Sequence, residues 1–371
     1  MKTHKSLYAK LCSYDNLISA YKKARRGKSK KLAVIEFDKN TKENLEALQK
    51  ELIEMTYTPL PLKRFIVRDP KTRTIHASAF RDRIVHHMLV NVLEPILEKI
   101  FIFDSYASRK GKGIHSAIKR FDQFKRKVSR SGRLIRTSEL FDRSNEVEGY
   151  VLKADIAHYF DTVDHEVLIN LIKKKVNDGK IIWLNRKILH NFNAATAGKG
   201  MPLGNFTSQF FANVYLNALD YFVKHELKAK YYIRYVDDFV ILHRGRKRLE
   251  YFQRKITEFL KDIKLNLHKD KSSIIPLQKG ITFLGYRIFY HHKLLRKRNR
   301  TYFLKKFEKY LQSYSEDTIN EVQFIAQLRG WFGYAQWADT YLFRKRILMM
   351  ALYLFEAKNY KKEDEIYLKI L

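Results

Sequence analysis

The sequence predicts an α+β fold, and three observations predict it. Short β-type runs recur along the chain, each bounded by turn residues. The longer segments between them carry apolar residues at helical spacing. Hydrophobic residues make up 45% and aromatics 14% of 371 residues, enough for a multi-lobed protein with a real core.

Taken in order, residues 1–57 read as charged helices, with Leu17 and Tyr21, then Leu45, Leu48 and Leu52, at helical spacing. Pro59 and Pro61 close that region. Runs 64–67 and 72–77 read as strands joined by the turn Asp69-Pro70-Lys71. Ile84, Met88, Leu89 and Val92 predict a helix over 80–100, and a basic helix is expected over 114–128. Residues 129–149 lack a pattern and read as an exposed loop or a weak hairpin. A buried strand over 150–154 ends at Asp155. Helices are expected near 164–176 and 180–192. Gly198-Lys199-Gly200-Met201-Pro202 is a loop leading into a long helix over 207–227. A hairpin follows, with strands 231–234 and 239–242, then a helix over 247–262. Strands fit 273–276, 281–284 and 287–290, and the remainder is helical and basic.

Lys and Arg number 73 against 39 Asp and Glu, a net charge of +34 spread along the whole chain. A distributed excess of this size suits broad surfaces that track a polyanion, most plausibly nucleic acid. The single cysteine, Cys12, excludes a disulfide within the chain and a Cys-rich zinc site, and fits a reducing cytoplasm. Met1-Lys2-Thr3-His4-Lys5 lacks the apolar run of a signal peptide. No stretch approaches the roughly 20 apolar residues that span a bilayer. A cytoplasmic location without a membrane partner is therefore expected. The 13 histidines show no ligand spacing.

The most informative residues are Tyr235-Val236-Asp237-Asp238. They stand between two apolar runs, so a β-hairpin would present two adjacent carboxylates at its tip. Such carboxylates repel unless a cation neutralises them. A lone strand-end Asp such as Asp155 is often a helix cap. Here, however, neighbouring strands of one sheet would bring Asp155, Asp237 and Asp238 together. Three carboxylates are a minimal cage for Mg²⁺, which prefers a few carboxylates, water and phosphates.

The order of further blocks resembles the reverse transcriptases of bacterial retroelements over about residues 58–290. Pro70-Lys71-x-Arg73-x-Ile75 resembles the fingers hairpin. Phe80-Arg81-Asp82-Arg83-Ile84-Val85-His86-His87 and Ser105-Tyr106-Ala107-x-Arg109-x-Gly111-x-Gly113 resemble the fingers blocks that follow. Residues 155–160 resemble the first catalytic block, 204–216 the helix block and 235–238 the catalytic hairpin. Residues 267–271 and Phe283-Leu284-Gly285-Tyr286 resemble the last two palm blocks. The resemblance implies a right-hand polymerase. Its expected parts are an N-terminal helical extension over 1–57, fingers over 58–149, a palm with a small antiparallel sheet flanked by helices over 150–290, and a helical thumb over 291–371. Residues 324–337 would be the thumb's central helix.

The resemblance also implies roles. Asp155 and Asp237 would bridge two Mg²⁺ ions, with Asp238 contributing more weakly and the backbone of Ile156 beside them. Lys71, Arg73, Phe160, Gly204, Gln209 and Lys271 would contact the incoming deoxynucleotide, Phe160 as the ring that excludes a 2′-hydroxyl. Arg81, Arg83, Arg109, Tyr235, Phe283, Leu284 and Gly285 would contact primer and template. The substrates implied are template RNA, primer, cDNA and dNTPs.

One departure narrows the subclass. Many reverse transcriptases carry Gln-Gly-x-x-x-Ser-Pro in the helix block, where this chain reads Leu203-Gly204-Asn205-Phe206-Thr207-Ser208-Gln209. That variant resembles the enzymes of diversity-generating retroelements, which copy a template RNA with errors at adenines and work with a small basic accessory protein. About 80 residues follow the palm, room for a thumb and below the usual size of a second full domain. The retron signature Val-Thr-Gly is absent from its expected place, where Phe283-Leu284-Gly285 stands. The alternatives are a phage-defence or group II intron-derived reverse transcriptase and, outside enzymes, a basic RNA-binding scaffold that keeps the fold.

Overall fold

The apolar stripes of the N-terminal segment fold inward as four helices, Leu7–Leu11, Tyr14–Arg25, Leu32–Lys39 and Thr41–Ile53. Leu17, Ala20 and Ala24 on one helix, and Leu45, Leu48 and Leu52 on another, are buried, while the charged faces stay in water. These elements come from a computed structural model that describes residues 3–68, 72–132, 134–135, 146–192, 194 and 196–370. Side chains are described outside 132–146 and as far as residue 358. The expected turn Asp69-Pro70-Lys71 lies outside the described residues, and Lys71 with it. The chain forms two units. One comprises Met1–Arg120, Leu152–Leu242 and Arg246–Ile274. The other comprises Phe121–Val151, His243–Gly245 and Ile275–Leu371.

In the first unit a single carboxylate starts two helices. Asp178 accepts from the backbone N–H groups of Lys180 and Ile181 at 3.1 and 3.2 Å, capping Gly179–His190. Its other oxygen accepts from Leu7 and Tyr8 at 2.7 and 2.9 Å. Four donors that helix starts leave orphaned are thus satisfied by one residue.

Helix Phe80–Leu97 is buried on most sides, since eleven of its 18 residues are covered. It packs against Tyr14–Arg25 and Phe206–Tyr221. His86 lies in its middle, with an Nδ1 that makes no hydrogen bond. Burial, then His87 and Arg83 nearby, pushes this imidazole down to about 3. The folded form is thus the poorer proton binder, and its stability is complete above the ordinary histidine range near 6.5 and lost as pH falls toward 3. Between pH 7 and 5 the His86 contribution should fall by about 2 kcal/mol. Denaturant melts of wild type and His86→Leu check this: the variant should lose less stability over that interval, and parallel curves would contradict it.

A four-stranded sheet has the order Tyr231–Tyr235, Asp238–His243, Tyr150–Asp155, Ser273–Pro276. Ile233, Val240, Ile241, Val151, Leu152 and Ala154 are all buried, which explains why these strands read as continuous apolar runs. Helices His165–Lys173, Phe206–Tyr221 and Arg246–Asp262 belong to the same unit. The helix expected over 207–227 is α-helical to Tyr221 and continues as a π turn, Phe222–Glu226. A short helix, Tyr159–Thr162, was not anticipated.

The second unit holds a three-stranded antiparallel sheet, Ile281–Phe283, Tyr286–Ile288 and Lys293–Leu295. It also holds the helices Lys297–Ser315, Glu321–Ala335 and Tyr341–Ile370. Their core is aromatic: Phe303, Phe307, Tyr314 and Phe324 pack with Leu328, Ile347 and Ala351. Trp331 stacks on Phe303 at 3.6 Å between centroids. Within 129–149, Leu134–Ile135 pairs antiparallel with Glu146–Val147, the hairpin alternative of the sequence reading. The residues between these strands lie outside those described.

Candidate active site

Backbone bonds on both sides fix Asp155. The N–H of Ile156 donates to the Asp237 carbonyl at 3.2 Å, tying the end of strand Tyr150–Asp155 to the hairpin tip. On the other side His268 donates to the Asp155 carbonyl at 2.7 Å, and Ala157 to that of Asn266 at 2.9 Å. The carboxylates the sequence pointed to therefore share one sheet end, where they act on one another. Burial raises Asp238 to about 6, with Asp155 and Asp237 adding to the rise and Lys153 opposing it. Burial, and then Asp155, raises Asp237 as well, against Lys271 and Arg73.

Asp238 Oδ1 is buried without a hydrogen-bond partner. An unpartnered buried anion beside two others is costly, and a cation removes the cost. Among the described residues no three His, Cys, Asp or Glu side chains already stand in ligand geometry. Mg²⁺ takes only one or two protein carboxylates and completes its shell with water and substrate phosphates. The oxygen donors present fit that ion.

Positive groups stand near these carboxylates. Arg73 opens the exposed end of strand Arg73–Ala77, and its charge is felt by Asp237. Lys271 Nζ stands 3.3 Å from Asp155 Oδ1. Lys153 was not singled out from the sequence. It lies two residues before Asp155, hence on the same strand face, and that spacing was the available signal. The Phe160 ring is half-buried, edge-on to Tyr159 at 5.4 Å, and its carbonyl accepts from Met201 N–H at 2.6 Å. Tyr235 pairs with Asp238 across the hairpin and is half-buried.

Gly204 has a structural task. Its φ is +116°, and a Cβ there would sit 2.6 Å from Ile75 Cγ2. Beside it His76 N–H donates to the Leu203 carbonyl at 2.9 Å, and Ser78 N–H to Asn205 Oδ1 at 3.1 Å. This seam holds the strand that carries Arg73. Gly204→Ala should destabilise the protein by about 1–3 kcal/mol and, on the nucleotide role the resemblance implies for Arg73, raise the nucleotide KM by displacing that strand. Melting and steady-state kinetics check it, and an unchanged KM would remove the link to Arg73. Gln209 is exposed at the start of the next helix, its Oε1 3.5 Å from Ser108 Oγ.

Several expected nucleic-acid contacts have other partners. Arg109 is the clearest case. Its side chain is 6% exposed and bonds Glu98 at 2.7 Å and the carbonyls of Ile102 and Ser105 at 2.6 and 2.8 Å. With its donors so engaged, it clips a loop. Arg81 pairs with Glu51 and lies over the Tyr57 ring at 5.7 Å. Arg83 Nε donates to the Ser78 carbonyl at 2.9 Å. In the second unit the Phe283 ring is wholly buried and packs on Phe121 at 6.0 Å. The turn after it presents backbone. Leu284 and Gly285 have φ of +47° and +91°, and the Gly285 carbonyl accepts from Tyr334 Oη at 3.0 Å. A Cβ on Gly285 would lie 2.6 Å from that hydroxyl oxygen.

A family model described as reverse transcriptase (RNA-dependent DNA polymerase) matches residues 67–288, more than half of the chain. The chain belongs to that family. As a reverse transcriptase it is an enzyme of nucleotidyl transfer with the family's right-hand fold. It is similar to protein YkfC of Escherichia coli (strain K12), 28% identical over 298 residues, 69% of this chain and 72% of that one. It is also similar to the group II intron-encoded protein LtrA of Lactococcus lactis subsp. cremoris, 26% identical over 319 residues. That match covers 67% of this chain and half the length of LtrA. Among solved structures, telomerase from Candida albicans aligns with a TM-score of 0.47 at 12% identity, covering 70% of this chain and 52% of that one. Among the described residues no helix is long and apolar enough to cross a membrane.

Proposed function

We propose that this reverse transcriptase copies an RNA template into cDNA and serves as the error-prone polymerase of a diversity-generating retroelement. The observation that carries the polymerase reading is the meeting of Asp155, Asp237 and Asp238 at one sheet end, with Asp238 Oδ1 unpartnered. These carboxylates, with the backbone of Ile156, would hold two Mg²⁺ ions. Bound there, the metals would supply Lewis acidity toward the primer 3′-hydroxyl and the triphosphate. The chain's own residues do the rest. The Arg73 guanidinium meets phosphate oxygens with its planar fork, and Lys71 would add a second charge. Lys271 and Lys153 balance the carboxylates before substrate arrives. Phe160 closes the floor under the sugar. The fingers, palm and thumb bounds of 58–149, 150–290 and 291–371 belong to the same proposal. So do the partners: a template RNA, a primer and a small basic accessory protein.

The subclass rests on Leu203 and Gln209. Leu203 takes part in the seam at Gly204 and Gln209 stands exposed on the first turn of the next helix, so in this reading their changed polar pattern alters what surrounds the nascent base pair. The similarity to LtrA favours a second reading, a polymerase of group II intron descent. Sequencing the cDNA separates them. The first reading expects errors concentrated at template adenines, reduced several-fold by Leu203→Gln while extension continues. Rare errors spread over all four bases would move the assignment to the intron-derived or phage-defence enzymes. A scaffold would incorporate nothing.

A further inference from the structure

We propose that Arg234 is the positioning residue that sets the catalytic hairpin, acting through the carbonyl of Val236. The proposal rests on the polymerase reading above. Arg234 lies one residue before the Tyr235-Val236-Asp237-Asp238 tip and is completely buried. Its Nε and Nη2 donate to Asp220 Oδ1 and Oδ2 at 2.7 and 2.6 Å, the two-pronged geometry a guanidinium suits. Nη1 donates to Asn213 Oδ1 at 3.2 Å and to the Val236 carbonyl at 3.1 Å.

Every partner is itself anchored. Asp220, also fully buried, accepts from Tyr232 Oη at 2.8 Å. Asn213 Nδ2 donates to the Ala107 carbonyl at 2.8 Å. The backbone of Arg234 accepts from Tyr106 at 3.0 Å and donates to Asp104 at 2.9 Å. One side chain therefore joins helix Phe206–Tyr221 to the tip of the hairpin.

The tip needs such a tie. Val236 has φ +55°, a left-handed conformation that costs a β-branched residue free energy. It immediately precedes Asp237, so the Val236–Asp237 peptide sets where the Asp237 carboxylate points. Arg234 grips that peptide by its oxygen. A buried ion pair is not needed for stability as such, because apolar pairs of similar volume often replace one without loss. An apolar pair cannot donate to Val236. Nor can lysine reproduce the contacts, since one ammonium does not span two Asp220 oxygens and two further acceptors.

The test uses Arg234→Lys and the apolar pair Arg234→Met with Asp220→Leu, each with and without Val236→Gly. Glycine adopts φ +55° without a Cβ penalty, so it should lessen the need for the tie. Thermal melting, template–primer affinity and kcat are read for each. The expected result is a folded protein with template–primer affinity and nucleotide KM close to wild type and kcat lowered about 10²-fold. Adding Val236→Gly should restore a clear part of the lost kcat. A purely structural role predicts no such rescue. If Arg234→Lys fails to fold, the apolar pair decides. A folded variant with wild-type kcat, or one whose lost kcat Val236→Gly leaves unchanged, overturns the proposal. An inactive wild type would instead overturn the polymerase reading beneath it.

Discussion

Asp237→Asn should abolish nucleotide incorporation while leaving the protein folded. The amide keeps the shape of the carboxylate and removes its charge. Burial and Asp155 already hold Asp237 above the usual carboxylate range, so losing the charge relieves repulsion in the folded state. Melting temperature should therefore stay level or rise. The rate should fall about 10³-fold or more, roughly 4 kcal/mol of transition-state stabilisation. Both are read on one preparation, by melting and by single-nucleotide extension. A folded Asp237→Asn protein that still extends within about tenfold of wild type would remove Asp237 from the chemistry.

Phe160→Ala should open the enzyme to ribonucleotides. The ring is half-buried against Tyr159, and the Phe160 carbonyl is held by Met201, so truncation clears space without freeing the backbone. A steric exclusion of one hydroxyl is worth about 10²-fold in selectivity. The preference for dNTP over NTP, as a ratio of kcat/KM, should fall by that order. Loss of a half-buried ring should also cost about 1–3 kcal/mol of stability, so the ratio and not the absolute rate is the measurement. Unchanged discrimination would make Phe160 a packing residue.

Much of this site could be read from sequence because its parts are local. Asp155 ends an apolar strand and Asp237-Asp238 interrupts an apolar hairpin, and both patterns survive folding. Helix 114–128 was legible for the same reason, its apolar residues recurring at one spacing. What stayed hidden depends on partners distant in the chain. Arg234 in Tyr231–Tyr235 looks like any charged strand residue until Asp220 and Asn213 are placed under it. Arg109 stands in a block whose resemblance implies a primer or template contact, and its bonds to Glu98 and two carbonyls are not legible from that block. Phe283 stands in a block whose resemblance implies a primer contact, while its alternation in Ile281–Phe283 turns the ring to the core. Strand Lys293–Leu295 escaped because three residues, one of them charged, carry too little alternation to register.

The most direct test of the account is primer extension on an RNA template with Mg²⁺ and deoxynucleotides, with the products sequenced and Asp237→Asn run beside wild type. The account predicts full-length cDNA from the intact enzyme alone, dependent on the metal, with errors gathered at template adenines. Metal-dependent cDNA with rare, evenly spread errors would keep the polymerase and contradict the retroelement subclass. No cDNA from the folded wild-type protein, alone or with a candidate small basic partner, would contradict the central claim that Asp155, Asp237 and Asp238 form a working catalytic centre.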